Sequence, residues 1–126
     1  MSIIIDANYI LRWFLNDVPS QATKVDKFLK TAEPDSIIID RVTIAEITYV
    51  LRAKGYDHKQ ISQLLEELLL YPGLSLLSEI DQTALVIYRD TGLDFEDCIL
   101  LAYNKIEHCQ VATFDKDLLK FISKKS

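Results

Sequence analysis

At 126 residues the chain has room for one domain, with a core burying roughly two-thirds of the unfolded chain's surface. Its hydrophobic fraction of 49% is that of a globular domain, and no apolar run approaches the ~18 residues of a membrane span. A net charge of −5, from 14 basic and 19 acidic side chains, excludes polyanion binding by overall charge alone; such a substrate would need local basic groups or bound cations.

Cys98 and Cys109 stand in no CxxC or Cys/His ligand spacing and read as reduced thiols of a cytoplasmic protein. No basic region precedes Ile3, and Asp6 interrupts the first apolar run, so no secretory leader is expected. The three glycines, Gly55, Gly73 and Gly92, lie far apart, and no Walker loop, dinucleotide fingerprint or GxSxG elbow occurs.

The first element is Ile3–Ile5, three isoleucines without polar alternation, the pattern of a central strand buried on both faces of a parallel sheet. Tyr9, Ile10, Trp13 and Phe14 then recur with a helical period. Asp6 therefore falls at the carboxyl end of the expected middle strand, the edge where open α/β sheets bind ligands. A helix N-cap is its competing explanation. Asn16 to Ser20 is a turn, and Ser20 is the expected cap of a helix to about Ala32, with Ala22, Val25, Phe28, Leu29 and Ala32 on one face. Ile37–Ile39 is a second buried strand, reached by a parallel crossover.

A helix follows from about Thr43 to Lys54, closed by Gly55. Thr43 and Glu46 have the T-x-x-E spacing of a capping box, a structural role that competes with a functional one for Glu46. Asp57 or His58 opens the next helix, with Ile61, Leu64, Leu65, Leu68 and Leu69 at helical spacing and Pro72-Gly73 at its end. These two helices form a hairpin with more apolar residues than one packed face requires, which suits a partner or dimer surface as well as core packing. Leu74–Leu77 reads as a short strand and Ile80–Asp90 as a helix with Ala84, Ile87 and Tyr88 on one side. Cys98 to Tyr103 lacks any charge or amide, so its helix should be deeply buried, with Asp94 and Asp97 at cap and N3 positions. Gln110–Thr113 is the expected last strand. Asp115 opens a final helix that runs into the basic residues Lys120, Lys124 and Lys125. There are no internal repeats, and residues 1–126 form one domain.

Each acid has a capping explanation, but the set is harder to dismiss. Asp6 and Asp115 directly follow strands, while Glu46 and Asp97 lie one turn into helices. Right-handed crossovers put all four on one edge of a parallel sheet. Carboxylates converging there repel, and a divalent cation relieves the repulsion; oxygen-only ligands suit magnesium or manganese. His58 and His108 lack zinc spacing and read as surface residues. Such a site fits chemistry on phosphates, with the metal as the expected source of hydroxide.

The chain resembles the PIN-domain ribonucleases, most closely the VapC-type toxins of prokaryotic toxin–antitoxin pairs. The resemblance spans nearly the whole sequence and rests on IIDANYILRWF, TIAEITYVLRAKGY, LDFEDCILLA and ATFDKDL, in the family's order and at its separations. It implies a three-layer α/β fold with a central parallel sheet of about five strands flanked by helices. It also implies magnesium-dependent endonucleolytic cleavage of RNA, frequent dimerisation, and a small antitoxin occupying the active-site groove. Carried across by position, its metal-binding and catalytic acids fall on Asp6, Glu46, Asp97 and Asp115, with Asp94 as an accessory acid. Asn8, Thr113 and Arg12 lie near the site as supporting residues, and Arg12, Arg52 and Lys116 are the candidates for phosphate contact or bracing. For Arg12 and Arg52 an ion pair bracing the crevice competes with phosphate contact. Cys98 stands where the family usually has Ala, a small apolar change.

Two rival enzyme patterns fit less well. A phosphoaspartyl phosphatase of the haloacid-dehalogenase type wants a second Asp where this chain has Asn8. A receiver domain wants an acid pair near the first strand that is missing here, and Lys116 lies beyond Asp115. The remaining alternative is a catalytically silent PIN-like scaffold that binds RNA or protein.

Overall fold

Both strands are built from isoleucine and both end at an aspartate. The computed structural model describes residues 2–122; Lys124 and Lys125 of the basic tail lie outside the described residues. Strand β1 (Ile3–Ile4) pairs in parallel with β2 (Ile37–Ile38), Ile3 opposite Ile37 and Ile4 opposite Ile38. Ile3 N–H donates to Ser36 O at 2.7 Å and Ile5 N–H to Ile38 O at 3.2 Å. Leu74 extends the ladder as a single parallel bridge to Ile37.

Seven helices complete the described chain: α1 (Ala7–Leu15), α2 (Pro19–Thr31), α3 (Arg41–Ala53), α4 (His58–Leu69), α5 (Glu79–Asp90), α6 (Phe95–Ile106) and the single turn α7 (Lys116–Leu119). All the helix starts but that of α6 have a local cause. Asp6, Asp40, Asp57, Ser78 and Asp115 cap α1, α3, α4, α5 and α7 through side-chain oxygens, and Asp57 with Gln60 closes a reciprocal capping box. The expected Ser20 cap is replaced: α2 begins at Pro19, whose fixed φ suits a first helical position. The expected Thr43 cap moves as well. Asp40 accepts Thr43 N–H at 2.8 Å, so α3 starts two residues earlier and Glu46 has no part in a capping box.

The buried side chains form one continuous cluster that includes Ile10, Leu29, Ile37, Ile47, Leu51, Leu65, Tyr88, Phe95 and Leu101. Helix α5 packs against α4 and α6, and α1 against α2 and α3. Tyr9 and Phe28 meet edge to face at 5.6 Å between α1 and α2, and Trp13 meets Tyr71 in the same way at 5.6 Å. Arg41, the first residue of α3, is the main polar tie. Its Nε lies 2.9 Å from Asp81 Oδ1 on α5, and its Nη1 donates to Tyr103 Oη on α6 at 3.0 Å.

The sheet is smaller than the sequence suggests. Among the described residues the ladder joins only β1, β2 and Leu74, and residues 107–115 hold no regular secondary structure. Gln110–Thr113 is therefore not a strand here. Val111 is the only large aliphatic residue in that stretch and is half-buried, which leaves little apolar surface to hold it against β1. With no strand on its outer side, β1 is an edge rather than the centre, and Ile4 is 65% exposed. Helix α6 also departs from full burial: Cys98, Leu101 and Ala102 are buried, but Leu100 faces solvent.

Gly73 lies where the chain passes closest to α2. A Cβ there would sit 2.9 Å from Ala32 Cβ and 3.1 Å from Ile37 Cδ1, while Gly73 O accepts the Ile37 N–H at 2.7 Å. Gly73→Ala is expected to lower stability by about 1–3 kcal/mol, the usual cost of overpacking. Gly92→Ala, whose added methyl meets nothing within 4 Å, should stay within about 0.5 kcal/mol in the same urea titration.

Candidate active site

An aspartate follows each strand on its carboxyl side, Asp6 after β1 and Asp40 after β2. Both have extended backbones and both cap the helix that follows, Asp6 Oδ1 accepting Tyr9 N–H at 2.9 Å. Asp40 is a residue that the sequence reading missed. The signal was present, since the tetrapeptide Ile-Ile-Ile-Asp occurs at 3–6 and again at 37–40.

Acids gather at the start of α6. Asp94 is the N-cap residue by backbone conformation, yet its side chain makes no capping bond. Asp97, at N3, is half-buried and makes no hydrogen bond or ion pair among the described residues. Burial pushes its carboxyl above the ordinary range, and repulsion from Asp115, Asp94 and Glu96 adds to the rise. Glu96 is a second residue the sequence reading passed over; it adds charge beside Asp97. Asp115 caps α7 with one oxygen, accepting from Asp117 N–H at 2.9 Å and Leu118 N–H at 3.2 Å. Thr113 is positioned as a support, its Oγ1 accepting Asp115 N–H at 3.0 Å.

Glu46 is exposed on the second turn of α3. Its helix packs on α6, where Arg41, Val42 and Ala45 line a groove of about 370 Å³ with Phe95, Glu96 and Ile99. Asp6 lines a different groove, of about 410 Å³, beside Ile3–Ile5, Tyr9 and Phe28. The structure thus brings Asp94, Glu96, Asp97 and Asp115 together electrostatically, with Glu46 on the helix packed against α6 and Asp6 at the strand edge. Among the described residues, no three of His, Cys, Asp and Glu are grouped closely enough to hold a metal ion. The donor chemistry fits a hard cation all the same: the acids about Asp97 offer only oxygens and repel one another.

The basic candidates divide. Arg12 Nη1 is paired with Asp17 Oδ2 at 2.8 Å, a bond that holds the Asp17 carboxyl below its ordinary range, so Arg12 braces the turn after α1 rather than an acid of the site. Arg52 makes no ion pair among the described residues and donates one N–H to Tyr56 O at 3.0 Å. Lys116 and Asn8 are exposed on the first turns of α7 and α1. Other nucleophiles are disfavoured. Burial pushes the Cys98 thiol up to about 12, and His58 Nε2 lies 2.9 Å from Leu93 O with its ring stacked on Tyr88.

No helix of the described residues is long and apolar enough to cross a membrane. The PIN domain family matches residues 3–123. No curated protein and no solved structure matches the chain. The match covers almost the full sequence, so the chain belongs to the PIN-domain family, whose members are generally nucleases.

Proposed function

We propose that this chain is a magnesium-dependent endoribonuclease, the toxin of a toxin–antitoxin pair, which hydrolyses RNA phosphodiesters at the Asp97 end of α6. Asp97 carries this reading. Its carboxyl is half-buried, crowded by three other acids and without a capping or pairing duty, an arrangement that the helix dipole offsets only in part. The residues that would hold magnesium, or manganese, are Asp97 and Asp115 with Asp6 and Glu46. When bound, such a cation supplies Lewis-acid polarisation of the phosphate and lowers the pKa of water. The chain's own groups set the rest. Thr113 fixes the backbone of Asp115, whose second oxygen is left free of the cap. Arg52 and Lys116 are the cations available to phosphate oxygens.

A scaffold that binds RNA or protein without cleaving is the second reading, favoured because, among the described residues, no three acids lie closely enough to hold a metal ion. The acidic corner also suits a cationic side chain, and we expect the cognate antitoxin to seat an Arg against these carboxylates. A homodimer fits the exposed Leu76 and Val86, which line one groove with Leu69 and Leu85.

Asp97→Asn separates the two readings. The raised pKa means that Asp97 contributes favourably to the fold below its unfolded value of 3.8, and that this contribution is lost as pH rises through the folded value. The metal-free Asn variant should therefore be at least as stable as wild type at neutral pH, with the difference vanishing in acid, as read by thermal unfolding across pH. It should gain little stability from magnesium and should not cleave RNA, whereas Asp94→Asn should keep partial activity. An Asn variant that cuts RNA at the wild-type rate would leave the scaffold as the better account. Purification from the native host should bring down a small antitoxin; recovery of the chain alone would count against the toxin assignment.

A further inference from the structure

A nuclease with net charge −5 has little long-range attraction for RNA, so a contact that does not depend on charge would add to what local basic groups and a bound cation supply. The outer face of α3 offers one. Tyr49 is 76% exposed and Val42 74% exposed, and with Glu46 they occupy positions i, i+4 and i+7 of one helical stripe. Glu46 thus has an apolar neighbour one turn away on each side.

Tyr49 also stands apart from most of the other tyrosines. Tyr9, Tyr71 and Tyr88 meet Phe28, Trp13 and Phe95 edge to face, and Tyr103 accepts from Arg41, whereas Tyr49 has no ring or hydrogen-bond partner among the described residues. Large exposed aromatics with no packing role are costly to hydrate. The groove lined by Val42, Ala45, Phe95 and Ile99 carries apolar surface from the same helix onto α6, towards the turn that holds Asp97. Arg52 lies three residues beyond Tyr49, with one N–H committed to Tyr56 O and others able to meet a phosphate.

We infer that Tyr49 is a positioning residue on which a base of single-stranded RNA stacks, setting the neighbouring phosphodiester against Glu46 and Asp97. This rests on the nuclease reading above and adds to it one determinant of binding. Stacking requires an unpaired base with an open face, so duplex RNA is excluded at this position and sequence preference is weak.

The test uses the full chain and a single-stranded RNA of about ten nucleotides, with 2-aminopurine placed at each position in turn. In EDTA, wild type and Tyr49→Phe should quench the reporter at one position with dissociation constants within about two-fold of each other. Tyr49→Ala should lose the quench and bind about 5- to 150-fold more weakly, the fold-change that one stacked base carries. With magnesium the same substitution should raise KM by a similar factor and leave kcat nearly unchanged. Tyr49 projects from a helix surface, so Tyr49→Ala should unfold with wild type. If it binds, quenches and cleaves as wild type does, the stacking role is wrong while the nuclease stands. If its only effect is on the mass of the particle in solution, the face covers a second copy of the chain instead. If wild type neither binds nor cleaves RNA, both this inference and the nuclease reading fall.

Discussion

Arg41 fixes three helices to one another, and the candidate site depends on their relation. Its guanidinium reaches Asp81 on α5 at 2.9 Å and Tyr103 on α6 at 3.0 Å while its own backbone opens α3. The bond to Tyr103 and the adjacent Asp81 raise its pKa, so the charge is secure at any relevant pH. Asp81 is almost buried, and an aspartate there without its partner would be an uncompensated charge in the interior. That penalty enforces the geometry: α3 cannot slide along α6 without exposing the pair to loss. Glu46 rides on one of these helices and Asp97 on the other, so their separation is set by a bond that neither of them makes.

Carboxylates here divide by whether they cap a helix, and the structure shows which oxygens remain available. Asp6, Asp40 and Asp115 each spend one oxygen on backbone N–H groups at a helix start. That bond orients the side chain and leaves the second oxygen pointing elsewhere, so capping and ligation need not exclude each other. Asp94 and Asp97 spend neither. Crowding at the start of α6 is partly offset by the positive end of its helix dipole, which lowers the cost of holding several acids in one turn.

Helix positions were legible from spacing because α3 to α6 carry strong apolar periods, and the two isoleucine strands were found with their parallel pairing. Helix starts were less so. Thr43 and Ser20 both had the right chemistry for a cap, yet Asp40 caps α3 ahead of Thr43, and α2 starts at Pro19 with Ser20 already inside the helix. The extent of the sheet was overestimated because short apolar runs look alike whether or not a neighbour is present: Leu74 forms a single bridge, and Gln110–Thr113 forms none. The candidate acids stood out because strand ends and helix starts mark them. Asp40 was overlooked because Thr43 and Glu46 offered a sufficient cap three residues later.

The open side of β1 has a consequence for the protein as a material. An unpaired parallel edge with a half-exposed or exposed isoleucine on each residue is a template on which another extended chain can stack, the first step of fibrillar growth. Two features blunt it here. The edge is only two residues long, too short to nucleate a stable cross-β layer, and Asp6 follows at once, so stacked copies would bring their carboxylates into line. The acid at this strand end thereby acts as a gatekeeper of solubility, and neutralising it would cost colloidal stability at high concentration before it cost the fold.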